Sequence, residues 1–189
     1  MSQSELLNYA LGLLNANEIP YMVTGSVVSS LQGEPRLTHD IDIVIVLHPR
    51  FAYAFAEAFP TNVFYVNKES VKDAIVRQSM FNVIDSTSGN KVDFWILTQS
   101  EYDRVRFGRR QKVKVLGIED FYVTSPEDTI VSKLLWAKMA GGSQKQLIDA
   151  TRVYELQYEK LDIIHIEEWV QKLELIAEWN ALLSSADPI

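Results

Sequence analysis

The chain has 189 residues, of which 47% are hydrophobic and 23% charged, enough to pack one domain with or without a helical extension. It has no cysteine, which excludes disulfides and thiolate metal sites, and its formal net charge of −7 argues against a protein whose main work is coating nucleic acid. No apolar run approaches the ~20 residues needed to span a bilayer, and residues 1–20 carry Glu5 within their apolar stretch and no basic leader, so a cytoplasmic protein with neither signal peptide nor membrane partner is expected.

In chain order, Leu6, Leu7, Ala10, Leu11 and Leu14 recur at amphipathic-helix spacing, with Ser2 and Glu5 placed for a capping box. Tyr21 to Thr24 reads as a short buried strand. Ser26 can cap the helix that follows, with Val27, Val28 and Leu31 facing inward. Asp40 to Leu47 is a second strand. Pro49 opens a helix through Phe59 that places Phe51, Phe55 and Phe59 on one side. Val63 to Val66 reads as a strand and Glu69 to Arg77 as a short helix. Phe81 to Asp85 and Lys91 to Leu97 form a hairpin across Ser88-Gly89-Asn90. Lys112 to Leu116 and Phe121 to Val123 form a further strand pair around Gly117.

After Ser125-Pro126 the pattern is wholly helical. Capping boxes are expected at Ser125 with Asp128 and at Ser143 with Gln146, and Gly141-Gly142 separates the two helices. The tail from Ile166 to Leu183 keeps helical spacing through Trp169, Val170, Leu173, Ile176 and Trp179. The expected architecture is α/β, a mixed sheet with flanking helices over residues 1–124. A helical bundle over residues 125–189 is expected to pack on it.

The chemistry concentrates in the run from Val23 to Leu47. Alternate residues of a strand share a face, so Asp40 and Asp42 project together while Ile41, Ile43 and Ile45 project oppositely. Two carboxylates at the start of a buried strand repel each other and lose solvation, and a divalent cation relieves both costs. Asp93 is a lone acid within an apolar strand, on the face of Trp95 and Leu97. If its strand lies beside the first, three carboxylates converge within about 4–6 Å as an all-oxygen site for magnesium or manganese. Gly25 lets backbone approach a ligand closely, and a helix beginning at Ser26 aims free N–H groups at an anion such as a phosphate.

The pattern of Gly25-Ser26, a helix, Pro35-Arg36-Leu37-Thr38-His39-Asp40-Ile41-Asp42, then Asp93 on a later strand resembles the nucleotidyltransferase superfamily with the polymerase-beta-like fold. Within it the chain looks most like AbiEii-type toxin nucleotidyltransferases and their bacterial relatives, a likeness that continues through Pro126-Glu127-Asp128, Lys133-Leu134-Leu135 and Gln144 to Asp149. The resemblance implies metal-dependent transfer of a nucleoside monophosphate from a nucleoside triphosphate. Asp40, Asp42 and Asp93 match the metal-binding and catalytic acids, with Mg2+ or Mn2+ as cofactor. Gly25 and Ser26 match the phosphate turn and Lys133 the helical lysine near the triphosphate. Arg36 and Thr38 are further nucleotide-binding candidates, and Asp149 matches the later acid. Partners implied are a nucleoside triphosphate, an RNA, protein or small-molecule acceptor, and a cognate antitoxin. The stretch before Asp149 departs from the more arginine-rich one of the toxins.

Bland readings stand beside these. Lys133 sits at the edge of the Ile130, Val131, Leu134, Leu135 stripe, where a solvated lysine also fits; Lys138 projects nearer the stripe's middle, without an evident reason. Asp149 lies away from the Leu147, Thr151, Tyr154 face, as a surface acid does. His39 is a loop histidine near the acids. The basic run from Asp103 to Lys114 is either a charged guard on a sheet edge or a patch for RNA or triphosphate. The alternative to an enzyme is a catalytically silent nucleotide-binding or interaction module on the same fold; an acid-triad nuclease or phosphatase is a further one.

Overall fold

The computed structural model describes residues 1–35, 40–115 and 117–187, with residue 119 by its backbone alone. Arg36, Thr38 and His39, three of the residues singled out above, lie outside the described residues. The chain divides into two compact units, one of residues 1–24 and 38–123 and the other of residues 25–37 and 124–189.

The first unit is built on a sheet. Its strands are β1 (Tyr21–Thr24), β2 (Asp40–Ile45), β3 (Phe64–Tyr65), β4 (Met80–Asp85), β5 (Lys91–Ile96), β6 (Gln111–Val115) and β7 (Ile118–Val123). Among the described residues these form one mixed sheet in the order β3-β4-β5-β2-β1-β7-β6. β2 runs parallel to β5 and antiparallel to β1, while β4 and β5 form the hairpin expected across Gly89, whose φ of 76° suits glycine.

Period-two alternation gives the sheet one apolar face. Ile41, Ile43 and Ile45 of β2 share it with Val92 and Phe94 of β5 and with Phe81 and Val83 of β4, all buried. Phe94 is the centre of an aromatic cluster: Phe55 meets it edge-on at 5.3 Å and Phe81 stacks on it at 5.3 Å. Helix α1 (Gln3–Ala16) begins with the expected capping box, the Glu5 amide donating to Ser2 Oγ and the Ser2 amide to Glu5 Oε2. It buries Leu6, Leu7, Ala10, Leu11 and Leu14, and it packs on β5 and β7. The region after Pro49 is a 3-10 turn (Pro49–Phe51) leading into α3 (Ala52–Glu57), so Phe51 is turned outward while Phe55 and Phe59 are buried. Helix α4 (Lys68–Arg77) completes this side. A helix the sequence pattern does not announce, α5 (Glu101–Gly108), starts at a Ser100 cap and sets Phe107 against Met22 and Val44, on the other face of the sheet.

The second unit is helical: α2 (Gly25–Gln32), α6 (Pro126–Met139), α7 (Gln144–Gln157), α8 (Ile163–Lys172) and α9 (Ile176–Ser185). In α2 Val28 is buried as expected, but Leu31 is exposed and Gln32 is buried instead, its Nε2 donating to the Thr124 carbonyl at 2.6 Å. Ser125 caps α6 by accepting from the Asp128 amide. Ser143 makes no side-chain cap, so the second expected capping box is absent. The tail is two helices rather than one, broken after Leu173 by Glu174 at φ 56°. Lys138 has its reason here: its ammonium donates to the Glu174 carbonyl at 2.9 Å and to that of Leu173 at 3.4 Å, satisfying carbonyls left open where α8 ends. His165 on α8 meets buried Asp128 of α6 at 3.0 Å.

Candidate functional site

The parallel register of β2 and β5 sets Asp40 opposite Lys91 and Asp42 opposite Asp93. Residues directly opposite across neighbouring strands share a face, and those strands lie about 4.8 Å apart. Asp42 and Asp93 therefore stand side by side on the face opposite the Phe94 core. The row extends across four strands, because Thr24 of β1 pairs with Asp42 and Asn82 of β4 pairs with Asp93. Thr24, Asp42, Asp93 and Asn82 thus form a polar row across four strands of the sheet.

Each acid has a different environment. Asp40 is exposed at the start of β2, Asp42 is half-buried and Asp93 is buried. The indole Nε1 of Trp95 donates to Asp42 Oδ1 at 3.1 Å. The ammonium of Lys91 lies 2.8 Å from Asp93 Oδ2 and 3.4 Å from Asp40 Oδ1, bridging two of the acids. Its hydrogen bond to Asp93, helped by the charges of Asp93 and Asp40, holds the Lys91 pKa above its ordinary value. Asp93 Oδ1 is buried with no hydrogen-bond partner among the described residues.

An anionic oxygen left in this condition is costly, and a cation beside it removes the cost. The donor set, carboxylate oxygens alone, suits Mg2+ or Mn2+ rather than a soft metal. Of the three acids, Asp42 and Asp93 are neighbours in register, and Asp40 stands one alternation along the same face. Among the described residues, no three His, Asp or Glu side chains are already gathered as a metal centre. Two of the acids, Asp40 and Asp93, are engaged by the Lys91 ammonium. Lys91 and Trp95 were not among the candidates read from sequence. Their signal was present in the period of β5, which puts residues 91, 93 and 95 on one face.

The remaining candidates belong to the helical unit. Gly25 opens α2 with a φ of 70°, a left-handed conformation that favours glycine, and Ser26 follows it in the helix. Lys133 is buried, 4% exposed, and its ammonium is 2.8 Å from Asp149 Oδ2; Asp149 is 6% exposed. Ser29 Oγ lies 3.5 Å from the same oxygen. Neither residue is the solvated charge that the helical stripes allowed: on α7 Thr151 and Tyr154 are buried as expected, but the buried face widens to take in Asp149, Ala150 and Val153, while Leu147 is only half-buried.

The basic run is divided between α5 and the edge strand β6. Arg106 pairs with Asp103 at 2.7 Å, and Arg110 lies over the rings of Phe107 and Tyr122 at 4.4 and 5.0 Å. Lys112 and Lys114 remain exposed on the edge. A cavity of about 290 Å³, lined in part by Leu13, Ile19, His48, Phe51 and Phe55, sits past the far end of β2 from Asp40.

No protein-family model and no curated protein matches the chain. Solved structures do match it in fold. An antigenic nucleotidyltransferase-like protein from Paracoccidioides brasiliensis superposes with a TM-score of 0.56 at 17% identity, covering 100% of this chain and 95% of its own. The antibiotic-resistance factor ANT(2'')-Ia, in complex with adenylyl-2''-tobramycin, superposes with a TM-score of 0.58 at 14% identity over 92% of this chain and 98% of its own. Its solution structure gives 0.54 at 13% identity over 97% and 96%. The chain has the mixed-sheet fold of nucleotidyltransferase-like proteins along its whole length.

Proposed function

We propose that this protein is a metal-dependent nucleotidyltransferase, which moves a nucleoside monophosphate from a nucleoside triphosphate to a hydroxyl-bearing acceptor. The observation that carries the reading is the cross-strand pair of Asp42 and Asp93, with a buried Asp93 oxygen that has no hydrogen-bond partner among the described residues. A fold shared with nucleotidyltransferase-like proteins adds support.

In this reading Asp40, Asp42 and Asp93 hold Mg2+ or Mn2+, which supplies charge neutralisation at the phosphates. Asp93 accepts the proton of the acceptor hydroxyl as its oxygen attacks the α-phosphorus, and pyrophosphate leaves. Trp95 fixes the orientation of Asp42 through its N–H. Gly25 and Ser26 receive the phosphates on backbone N–H groups. Arg36 and Thr38 are carried as further nucleotide contacts, and Lys133 with its partner Asp149 as a charged pair serving the same substrate. ANT(2'')-Ia is seen with an adenylylated small molecule, which favours testing small-molecule acceptors beside RNA and protein. The likeness to AbiEii-type toxins adds a toxin-like role with a cognate antitoxin.

The test is incubation with each labelled nucleoside triphosphate, magnesium and a whole-cell extract. Label transferred to one acceptor class, dependent on magnesium and absent with Asp42→Asn, supports the reading. Nucleotide binding without transfer in any extract assigns the chain to a silent binding module instead. Release of free labelled monophosphate makes it a hydrolase. Among the described residues no helix is long and apolar enough to cross a membrane.

A further inference from the structure

We propose that Lys91 is a built-in counter-cation that competes with the divalent ion for Asp40 and Asp93, and so sets how tightly the ion is held. The inference rests on the metal-dependent reading above and concerns the regulation of that same site.

The placement follows from β-strand geometry. Lys91, Asp93 and Trp95 alternate onto one face of β5, and the register brings Asp40 and Asp42 beside Lys91 and Asp93. The Lys91 ammonium takes one oxygen of Asp93 at 2.8 Å and one of Asp40 at 3.4 Å. Those two acids are also two of the three that would hold the ion. Trp95 occupies an oxygen of Asp42 as a neutral donor, which orients the carboxylate without cancelling its charge.

Ammonium and divalent ion cannot share these oxygens cheaply. Two cations a few ångströms apart repel by several kcal/mol even at an effective dielectric near 20. Entry of the ion therefore displaces the ammonium. The lysine can leave: its side chain is 34% exposed, whereas that of Asp93 is 8% exposed, and its charge sits on a flexible four-carbon stem. Before the ion arrives, Lys91 screens the mutual repulsion of the acids. After it arrives, Lys91 is released to solvent. Metal affinity is thereby held below what three carboxylates alone would give.

The experiment is a Mn2+ titration without nucleotide, read by electron paramagnetic resonance, on wild type, Lys91→Gln, Lys91→Met and Lys91→Arg. The account expects Mn2+ to bind Lys91→Gln and Lys91→Met about tenfold more tightly than wild type, and Lys91→Arg within about threefold of wild type. Thermal melting gives an independent readout. The two neutral variants melt below wild type without metal and gain more from Mn2+ than wild type does. A merely structural lysine predicts the opposite sign, with weaker Mn2+ binding in the neutral variants. Folded Lys91→Gln or Lys91→Met that binds Mn2+ no more tightly than a binding-competent wild type overturns the competition and leaves the metal-dependent reading in place. If neither wild type nor any variant binds Mn2+, both fail together.

Discussion

Asp85 closes the hairpin between β4 and β5 and is fully buried. Its carboxylate accepts from the N-terminal ammonium at 2.5 Å, Ser88 Oγ at 2.6 Å, and the Thr87 amide and hydroxyl at 2.9 and 2.7 Å. These donors, the ammonium first, hold its pKa well below the usual carboxylate range. A depressed folded-state pKa contributes stability that is present above the unfolded value near 4 and is lost as the pH falls below it. Asp85→Asn is thus expected to melt several degrees below wild type at pH 7, with the gap narrowing as the pH drops from about 4 toward 2. Melting curves across that range check it; a gap that stays constant with pH would show the role to be packing alone. The site residues have a similar logic. That Asp40 and Asp42 share a face, and that Asp93 needs a partner, was legible from strand period and the cost of a buried charge. That Lys91 would bridge Asp93 to Asp40 was legible only in part: the period of β5 puts Lys91 and Asp93 on one face, but it does not say which strand lies alongside and brings Asp40 opposite Lys91.

At the scale of elements, the pairing of Lys133 on α6 with Asp149 on α7 ties the two helices through a buried ion pair. Removing one partner leaves a buried charge uncompensated, so Lys133→Met is expected to cost about 3–5 kcal/mol of stability. The double variant Lys133→Met, Asp149→Leu is expected to recover most of that, and urea unfolding of the three proteins measures it. A single variant as stable as wild type would remove the pair from the helical core. If the pair also serves the nucleotide, the double variant regains stability without regaining nucleotide binding. Gly33 marks another contact in this unit. A Cβ there would meet the Ser29 carbonyl oxygen at 2.9 Å and the Val153 amide nitrogen at 3.0 Å, both backbone, so α7 can approach this closely only at a glycine. Gly33→Ala is expected to cost about 1–3 kcal/mol, again by urea unfolding; a neutral result would mean that the two segments separate freely. Sequence pattern located α6 and α7 and, in Ile130, Val131, Leu134, Thr151 and Tyr154, much of the faces they bury, but it left Lys133 and Asp149 outside those faces. Their charged residues sit inside as a pair, and hydropathy reads each charge singly as outside. It missed α5 because that helix carries only Tyr102 and Phe107 as buried residues amid charges.

Across the whole molecule, the division into units does not follow the chain. Helix α2 interrupts the sheet sequence between β1 and β2 and groups with the C-terminal helices. A reading by texture along the sequence separates sheet from bundle near residue 124 and has no means of assigning an eight-residue helix across that boundary. The fold class was nevertheless legible, since alternation in β2, β4 and β5 and the capped helices after Ser125 are strong local signals. Identities of 13–17% to the structural neighbours carry the fold and leave the activity to experiment. The central claim is that the acid-bearing face of β2 and β5 holds a divalent ion together with a nucleoside triphosphate. Isothermal titration with non-hydrolysable nucleoside triphosphates, with magnesium and with chelator, tests it without knowledge of the acceptor. The account predicts that wild type binds one or more of them only with magnesium, and that Asp42→Asn and Asp93→Asn, each with native far-ultraviolet circular dichroism, lose about tenfold or more, or 1.4 kcal/mol. Binding that persists in chelator, or that is unchanged in both variants, would contradict it.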